Sequence, residues 1–402
     1  MRVCLVSQEY PPGPVGGIGT QTEVKARGLA DMGYTVELLT PGDEGLRRTS
    51  ASRAGDVTVH RFPPVGADFP VYRPEAYWLG HSWQVLAAIR RLRQAGTRFD
   101  IVDFPDYGAE GLAFLLDRDE AERMPAVVHL HGSLTMLTQK IGWPERGSSF
   151  ARIGGFMEDA CLRLADGWMA ASASVADFAA RAHGIPAERI EIVYAGVDAR
   201  KFRPDTSPHG ELPPHVLFVG NVALNKGLRT VFETFLRLRA SFGDLRLTIA
   251  GEGDEGLLEE MEVEAARHGA GEALEVLGFV EQDDLPALYR RALVVAAPSQ
   301  YEGGLGMVYL EAMACGRPVI AGRAGGAPEA VVDGETGFLV PPDDVEATER
   351  AIHTLLTDGD LRQRMGEAAR RRVDERFTTE QYARRVSRAY ARVLESGRSA
   401  GA

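Results

Sequence analysis

The chain has 402 residues, 45% of them apolar and 25% charged, which excludes a disordered chain and allows more than one buried core. Lys and Arg number 45 against 57 Asp and Glu, and the formal charge of -12 disfavours wholesale binding to nucleic acid or to an anionic membrane. No run has the length of a membrane span, Val3-Cys4-Leu5-Val6 is too short for a signal-peptide core, and Cys4, Cys161 and Cys315 show neither disulfide nor metal spacing, so a reducing cytoplasm is expected.

Short apolar runs alternate with helical patterns along the chain. Strands are predicted at Val3–Ser7, Tyr34–Thr40, Ile101–Phe104, Ala126–Leu130, Gly167–Ala171 and Ile190–Val193, with a helix over Thr20–Met32 closed by Gly33. The stretch Tyr194–His215 holds Pro204, Pro208, Pro213 and Pro214, lacks a helical period and reads as a linker. A second series follows at Val216–Gly220, Leu245–Ala250, Leu274–Leu277, Leu293–Ala297 and Pro318–Ala321. This alternation predicts an α/β chain of two doubly wound, Rossmann-like parallel-sheet domains, 1–195 and 196–377, with ligands at the carboxyl ends of strands. The last helical stretch, Thr379–Glu395, has no strand after it, and its pattern leaves open which domain it covers.

Four motifs could carry chemistry. Gly16-Gly17-Ile18-Gly19 precedes a helix, where unsatisfied amides and a positive dipole suit an anionic oxygen; a flexible loop is the alternative. The dinucleotide fingerprint fits poorly, because Thr22 stands where its third glycine belongs and Glu37 lies inside a strand instead of at its end. His129 and His131 alternate to one side of a strand that ends at Gly132; they read either as chemistry at the strand end or as hydrogen-bonded structural groups. Phe218-Val219-Gly220-Asn221, followed by Asn225-Lys226-Gly227 at a helix start, can meet a diphosphate with fixed amides and a mobile cation, although a surface lysine reads the same way.

The fourth motif runs from Pro298 through Tyr301-Glu302-Gly303-Gly304-Leu305-Gly306 into a helix expected to begin near Leu305 and to be capped by Gly316. Glu311 sits in that apolar helix, and burial would require a hydrogen-bonding partner, either ligand hydroxyls or a structural group such as a backbone amide. Elsewhere, Asp283-Asp284 and Asp343-Asp344 read as helix caps, and the arginines at 370–372 as a solvated face beside Asp374 and Glu375. Arg90, Arg91, Arg93 and Arg98 with Trp83 suggest a local anionic surface, so peripheral membrane contact is considered but not favoured.

Taken in order, these segments resemble the family-4 retaining glycosyltransferases of the GT-B fold, with Gly278-Phe279-Val280, YEGGLGMVYLEAMACG from Tyr301 to Gly316 and Gly325-Gly326-Ala327-Pro328-Glu329 completing the pattern. The resemblance implies two Rossmann-like domains facing across a cleft, the first on the acceptor side and the second holding a nucleotide-sugar, with the last helix (378–396) crossing back onto the first. It assigns Lys226 to the diphosphate and Gly17 to the same group from the first domain. It gives the base to the backbone near Phe279 and Val280, and the ribose to Glu311. It gives the donor sugar to Glu302 with the amides of Gly303, Gly304 and Leu305, and the reacting carbon to His131. It implies a UDP- or GDP-sugar donor, a small-molecule, glycan or lipid-linked acceptor, retention of configuration, and no cofactor or metal.

Two departures stand out. Asn221 occupies the place of the family's usual arginine, for which Asn221 itself or Arg229, three residues after Lys226, could substitute. Eight residues separate Glu302 from Glu311 where the family has seven, and the extra one is expected to be absorbed as a kink in the glycine loop. Asp106, Tyr107 and Trp143 are the guesses for acceptor contacts. A nucleotide-sugar epimerase of the same architecture and a non-catalytic nucleotide-sugar-binding protein are the other functions considered.

Overall fold

In the first strand Val3 and Leu5 pack into one apolar cluster while Cys4 and Val6 pack into another, as expected for a parallel strand buried on both faces. The computed structural model describes residues 1–12, 16–65, 74–118, 124–204 and 214–400. The chain divides into two units, Met1–Gly196 with Thr379–Ala402, and Val197–Thr378. No helix among the described residues is long and apolar enough to cross a membrane.

Unit 1 is built on strands β1 (Arg2–Val6), β2 (Thr35–Pro41), β3 (Ser50–Ala54), β4 (Val57–Phe62), β5 (Ile101–Pro105), β6 (Ala126–Leu130), β7 (Gly167–Ala170) and β8 (Ile190–Ile192). Their order is β3-β4-β2-β1-β5-β6-β7-β8, and only β3 runs antiparallel to its neighbour. The sequence reading omits both strands of the β3–β4 hairpin: every residue of β3 is exposed, so no apolar alternation marks it, whereas β4 does alternate at Val57 and Val59. One face of the sheet is covered by helices Gly17–Asp31 and Thr379–Ala400. Tyr382, Ala383, Val386, Ala389 and Tyr390 recur at helical spacing along the latter and join Val3, Leu5, Ala26 and Leu29 in one core. The final helix therefore belongs to unit 1. The other face carries helices Pro74–Gln94, Leu112–Leu116 and Ser149–Leu164 over Cys4, Val6, Val102 and Phe104.

Unit 2 carries strands β9 (His215–Val219), β10 (Arg246–Ala250), β11 (Leu274–Gly278), β12 (Val294–Ala297), β13 (Val319–Gly322) and β14 (Gly337–Val340) in the order β11-β10-β9-β12-β13-β14. All five residues of β9 are buried, which places this strand at the centre of the sheet. The sequence reading omits β14, which is four residues long and lies at the edge of the sheet.

Two other expectations change. The linker reading holds for part of its span at most: Val197 bridges to Thr378, and Phe202 is buried while its carbonyl accepts from Arg370. Pro208 and Pro213 lie outside the described residues. Nor are the arginines a solvated face. Arg370 donates to the carbonyls of Ala199, Phe202 and Ala314, and Arg372 to those of Glu329 and Ala330, so both tie loops to the helix Gly359–Arg376; only Arg371 is exposed.

Candidate active site

In unit 1 the helix Gly17–Asp31 starts three residues earlier than predicted, which brings Gly17 into its first turn with amides that have no intrahelical acceptor. A Cβ added at Gly17 would meet nothing within 4 Å. Just before it, the Gly16 amide donates to Glu9 Oε2 at 2.6 Å, and burial raises the Glu9 carboxyl above its ordinary range. Glu37 is fixed inside β2 by His60 at 2.7 Å, far from the ribose role that a dinucleotide site would require.

At the end of β6, His129 and His131 do share a side: their ring centroids lie 4.2 Å apart. The turn beyond them is clamped by Asp106, whose Oδ1 accepts from the His131 amide at 2.8 Å and whose Oδ2 accepts from Gly132 at 3.2 Å. Asp106 is buried, its carboxyl is pushed up to about 6 by desolvation, and it shapes the histidine turn instead of facing an acceptor. Of the other acceptor guesses, Tyr107 packs edge-on against Trp78, while Trp143 is exposed beside Phe150. Desolvation lowers both rings: His131 to about 3, with the charge of Lys25 as the second cause, and His129 well below its ordinary value, with His131 and then Lys25 as lesser causes. Both rings are neutral at physiological pH.

In unit 2 the loop after β9 turns through Leu224–Lys226 and enters the helix Leu228–Leu238 at Gly227. Gly227 has φ 75°, and a Cβ there would lie 2.4 Å from the Pro298 carbonyl oxygen, so this crossing of two loops admits only glycine. Asn225 accepts from the Gln300 amide across the same crossing at 2.9 Å. Lys226 Nζ then meets Glu302 Oε1 at 2.9 Å, which brings together the cation and the first glutamate of two separate motifs.

Glu302 is further held by its carbonyl, which accepts from Gly326 at 2.8 Å. Gly303, Gly304 and Leu305 form a bend, Gly306 adopts φ 82°, and the helix spans Met307–Ala314, two residues later than expected. The bend thus separates Glu302 from the helix, with Glu302 turned onto Lys226. Glu311 is 3% exposed and has side-chain partners within the fold: Tyr289 Oη donates to Oε2 at 2.8 Å, while Gln282 reaches Oε1 at only 3.5 Å. Burial pushes its carboxyl up to about 7. Asn221 is exposed beside Gly220, and Phe279 and Val280 follow β11 with the Phe279 ring 37% exposed. Arg229 is engaged elsewhere, by Glu233 and Glu264, each at 2.8 Å. Asp344 caps its helix as expected, but Asp284 makes no capping bond and Asp283 pairs with Lys201.

The model of glycosyltransferase family 4 matches residues 15–201, and the model of glycosyl transferases group 1 matches residues 200–372. A GDP-mannose-dependent alpha-(1-6)-phosphatidylinositol monomannoside mannosyltransferase of Mycobacterium tuberculosis is 30% identical over 92% of this chain and 92% of its own. The chain belongs to the family-4 glycosyltransferases. A glycogen synthase of the same organism is 29% identical over 97% of this chain and 94% of its own. Among solved structures, sucrose-phosphate synthase from Thermosynechococcus elongatus superposes with a TM-score of 0.83 at 22% identity, covering 98% of this chain and 99% of that one. Both units have the parallel-sheet α/β architecture of the GT-B fold.

As a family-4 glycosyltransferase the chain holds polar groups that its motifs do not announce. Lys25, Asp103, Glu158, Tyr289 and Gln282 all touch or adjoin the assigned residues. One signal was available: Lys25 lies four residues before Leu29 on the buried stripe of its helix, and Asp103 sits within the apolar run Ile101–Phe104. A charge on a core stripe requires a partner, but only the tertiary fold names it.

Proposed function

We propose that this glycosyltransferase is a retaining hexosyltransferase that moves a sugar from a UDP- or GDP-sugar to an acceptor hydroxyl without a metal ion. The observation that carries this reading is the Lys226–Glu302 pair at 2.9 Å, which puts a mobile cation and a sugar-binding carboxylate at one strand end, beside a glycine bend and a helix start. When the donor binds, Lys226 exchanges Glu302 for the diphosphate, and Glu302 with the amides of Gly303, Gly304 and Leu305 takes the sugar hydroxyls. Glu311 accepts from the ribose, with Tyr289 fixing its other oxygen. The backbone at Phe279 and Val280 meets the base, and the open helix start at Gly17 meets the diphosphate from unit 1. His131 acts beside the reacting carbon.

Transfer breaks the bond from the anomeric carbon to the phosphate oxygen and forms one from that carbon to the acceptor oxygen on the same face. The departing phosphate takes the acceptor's proton. Lys226 and helix-terminal amides offset the charge that grows on the leaving group, the role a divalent cation plays elsewhere. Among the described residues, no three His, Cys, Asp or Glu side chains are placed to hold a metal ion.

A thermal-shift panel of UDP-, GDP- and ADP-sugars selects the donor, since a ligand bound only by the folded state raises its stability. With that donor, transfer in EDTA is expected to equal transfer in Mg²⁺, and the product's anomeric proton is expected to show the donor's configuration. Loss of transfer in EDTA restored by Mg²⁺ or Mn²⁺ overturns the metal-free reading, and an inverted product overturns retention. An epimerised sugar formed with no acceptor, or tight binding without turnover, overturns transfer itself.

A further inference from the structure

Beneath His131 lies a line of buried polar groups that the transfer reaction as described does not use. Lys25, its side chain 5% exposed, places Nζ 2.7 Å from Asp103 Oδ2 and 3.3 Å from His129 Nδ1. Asp103 Oδ2 also accepts from Tyr390 of the final helix at 2.5 Å, and the His129 ring lies against that of His131. Among the described residues, Asp103 Oδ1, His129 Nε2, His131 Nδ1 and Tyr382 Oη are buried without a hydrogen-bond partner.

A buried ion pair is weak evidence for stability, because apolar residues of similar volume often serve as well. Four further polar atoms without partners add cost to this one, each forfeiting the hydrogen bonds it had in water. The cluster is therefore an expensive way to fill a core, and its position directly behind His131 points to a use. We propose that Lys25 is a positioning residue for transfer: paired with Asp103, it fixes the His129 ring and, through that ring, the imidazole of His131. The proposal rests on the role given to His131 under Proposed function.

The chemistry of the contact assigns the ring. An ammonium has three donors and no acceptor, so its approach to His129 Nδ1 requires a lone pair on that nitrogen, which leaves the proton on Nε2 and the ring uncharged. The charged and titratable groups around His131 are Lys25 from the helix Gly17–Asp31, Asp103 and Asp106 from β5 and its end, and His129 from its own strand. Tyr382 and Tyr390 come from the last helix, and Glu158 stands behind Asp106 on the helix Ser149–Leu164. Lys25 is the cation among them, and it disfavours a second positive charge on either imidazole. That suits glycosyl transfer, whose transition state gathers positive charge on the sugar: a neutral His131 does not repel it, whereas an imidazolium would.

The test uses the full chain labelled with ¹⁵N-histidine. In the wild type, two-bond ¹H–¹⁵N spectra are expected to show His129 as the Nε2–H tautomer and His131 neutral down to pH 5. A wild-type His129 protonated on Nδ1 overturns the proposal without any variant, so failure of a variant to fold does not protect it. Lys25→Met, which keeps the length of the side chain, is expected to raise the His131 titration above that of the wild type, while desolvation still holds it below its ordinary value. With GDP-mannose, or UDP-glucose if the panel selects it, its kcat is expected to fall about tenfold, the rate equivalent of one charged hydrogen bond, at an unchanged donor KM. It should also gain an acidic limb that follows the His131 titration. Lys25→Gln, which keeps an N–H donor but no charge, is expected to preserve the His129 tautomer and to shift the titration alone. A folded Lys25→Met with an unmoved His131 titration, or with a moved titration and unchanged kcat, overturns the proposal. Full kcat in His131→Ala instead overturns the role given to His131 and leaves the Lys25–His129 contact standing.

Discussion

Lys25 and Lys226 each pair with one carboxylate, at 2.7 and 2.9 Å, yet their side chains are 5% and 30% exposed, and Asp103 and Glu302 are 1% and 16% exposed. Water reaches one pair and not the other. In unit 1, separating the charges would strand two ions in the core, so Lys25 stays where folding puts it. In unit 2 the pair is part-buried, so solvent or an anionic ligand can take over from the carboxylate at less cost than in the core. The same two residue types thus serve as a fixed brace in one unit and an exchangeable contact in the other.

The comparison breaks first at Lys226. Lys226→Ala is expected to lower kcat/KM by about 10²–10³, the usual cost of removing one group that meets transition-state charge. Steady-state kinetics with the selected donor measure it, and a change below threefold would leave Lys226 a surface partner of Glu302. Next comes His131→Ala, expected to reduce kcat by roughly tenfold to a hundredfold while the donor KM stays put, since the proposed role confines its work to the transition state. A rise in KM at constant kcat would move His131 from the reacting carbon to donor binding.

Glu311 sharpens the contrast in a different way, because it is buried yet assigned to a ligand. Its carboxyl is pushed up to about 7 by burial, so it is protonated below that pH and ionised above it. The donor KM is therefore expected to fall as pH rises through 7, as the carboxylate becomes able to accept from ribose hydroxyls. Glu311→Gln should raise KM about tenfold at pH 8 and flatten the profile, reflecting one lost charge-assisted hydrogen bond. A pH-dependent KM that persists in the variant would assign the titration to another group.

The smallest effect is expected at Arg229. Its guanidinium is already held by Glu233 and Glu264, so Arg229→Ala should change kcat and KM by less than about twofold, as for exposed ion pairs generally. A defect approaching that of Lys226→Ala would mean that the donor pulls Arg229 from both carboxylates and that it stands in for the family's arginine. An unchanged variant leaves Asn221 as the phosphate donor of that position.

The strand–helix alternation, the glycine motifs and their order were sufficient to read two parallel-sheet domains and the glycosyltransferase family, because these features depend on local periodicity and on spacing along the chain. Strands with weak periodicity were not legible: β3 is wholly exposed, and β14 is a four-residue edge strand. The site was legible as segments and not as contacts. The sequence placed Lys226 and Glu302 in different motifs, and it took the crossing of two loops at Gly227 to set them 2.9 Å apart. It raised the need for a partner to a buried Glu311, but only the fold supplied Tyr289, from another helix.

The final helix shows the division most clearly. Its helical pattern left open which of two sheets it covers, and the family resemblance, not spacing, pointed to the first. The tertiary structure laid it on unit 1 and thereby delivered Tyr390 to Asp103. Lys25 likewise carries its charge into the core by its place on a helix, but its partners come from β5 and β6, 78 and 104 residues away, and the carboxylate that neutralises it is held in turn by Tyr390 of that last helix, 287 residues beyond Asp103. Periodicity is a property of neighbours in sequence, whereas a buried charge is satisfied by neighbours in space, so the sequence determined which faces must be covered and the tertiary structure alone decided which groups meet beneath them.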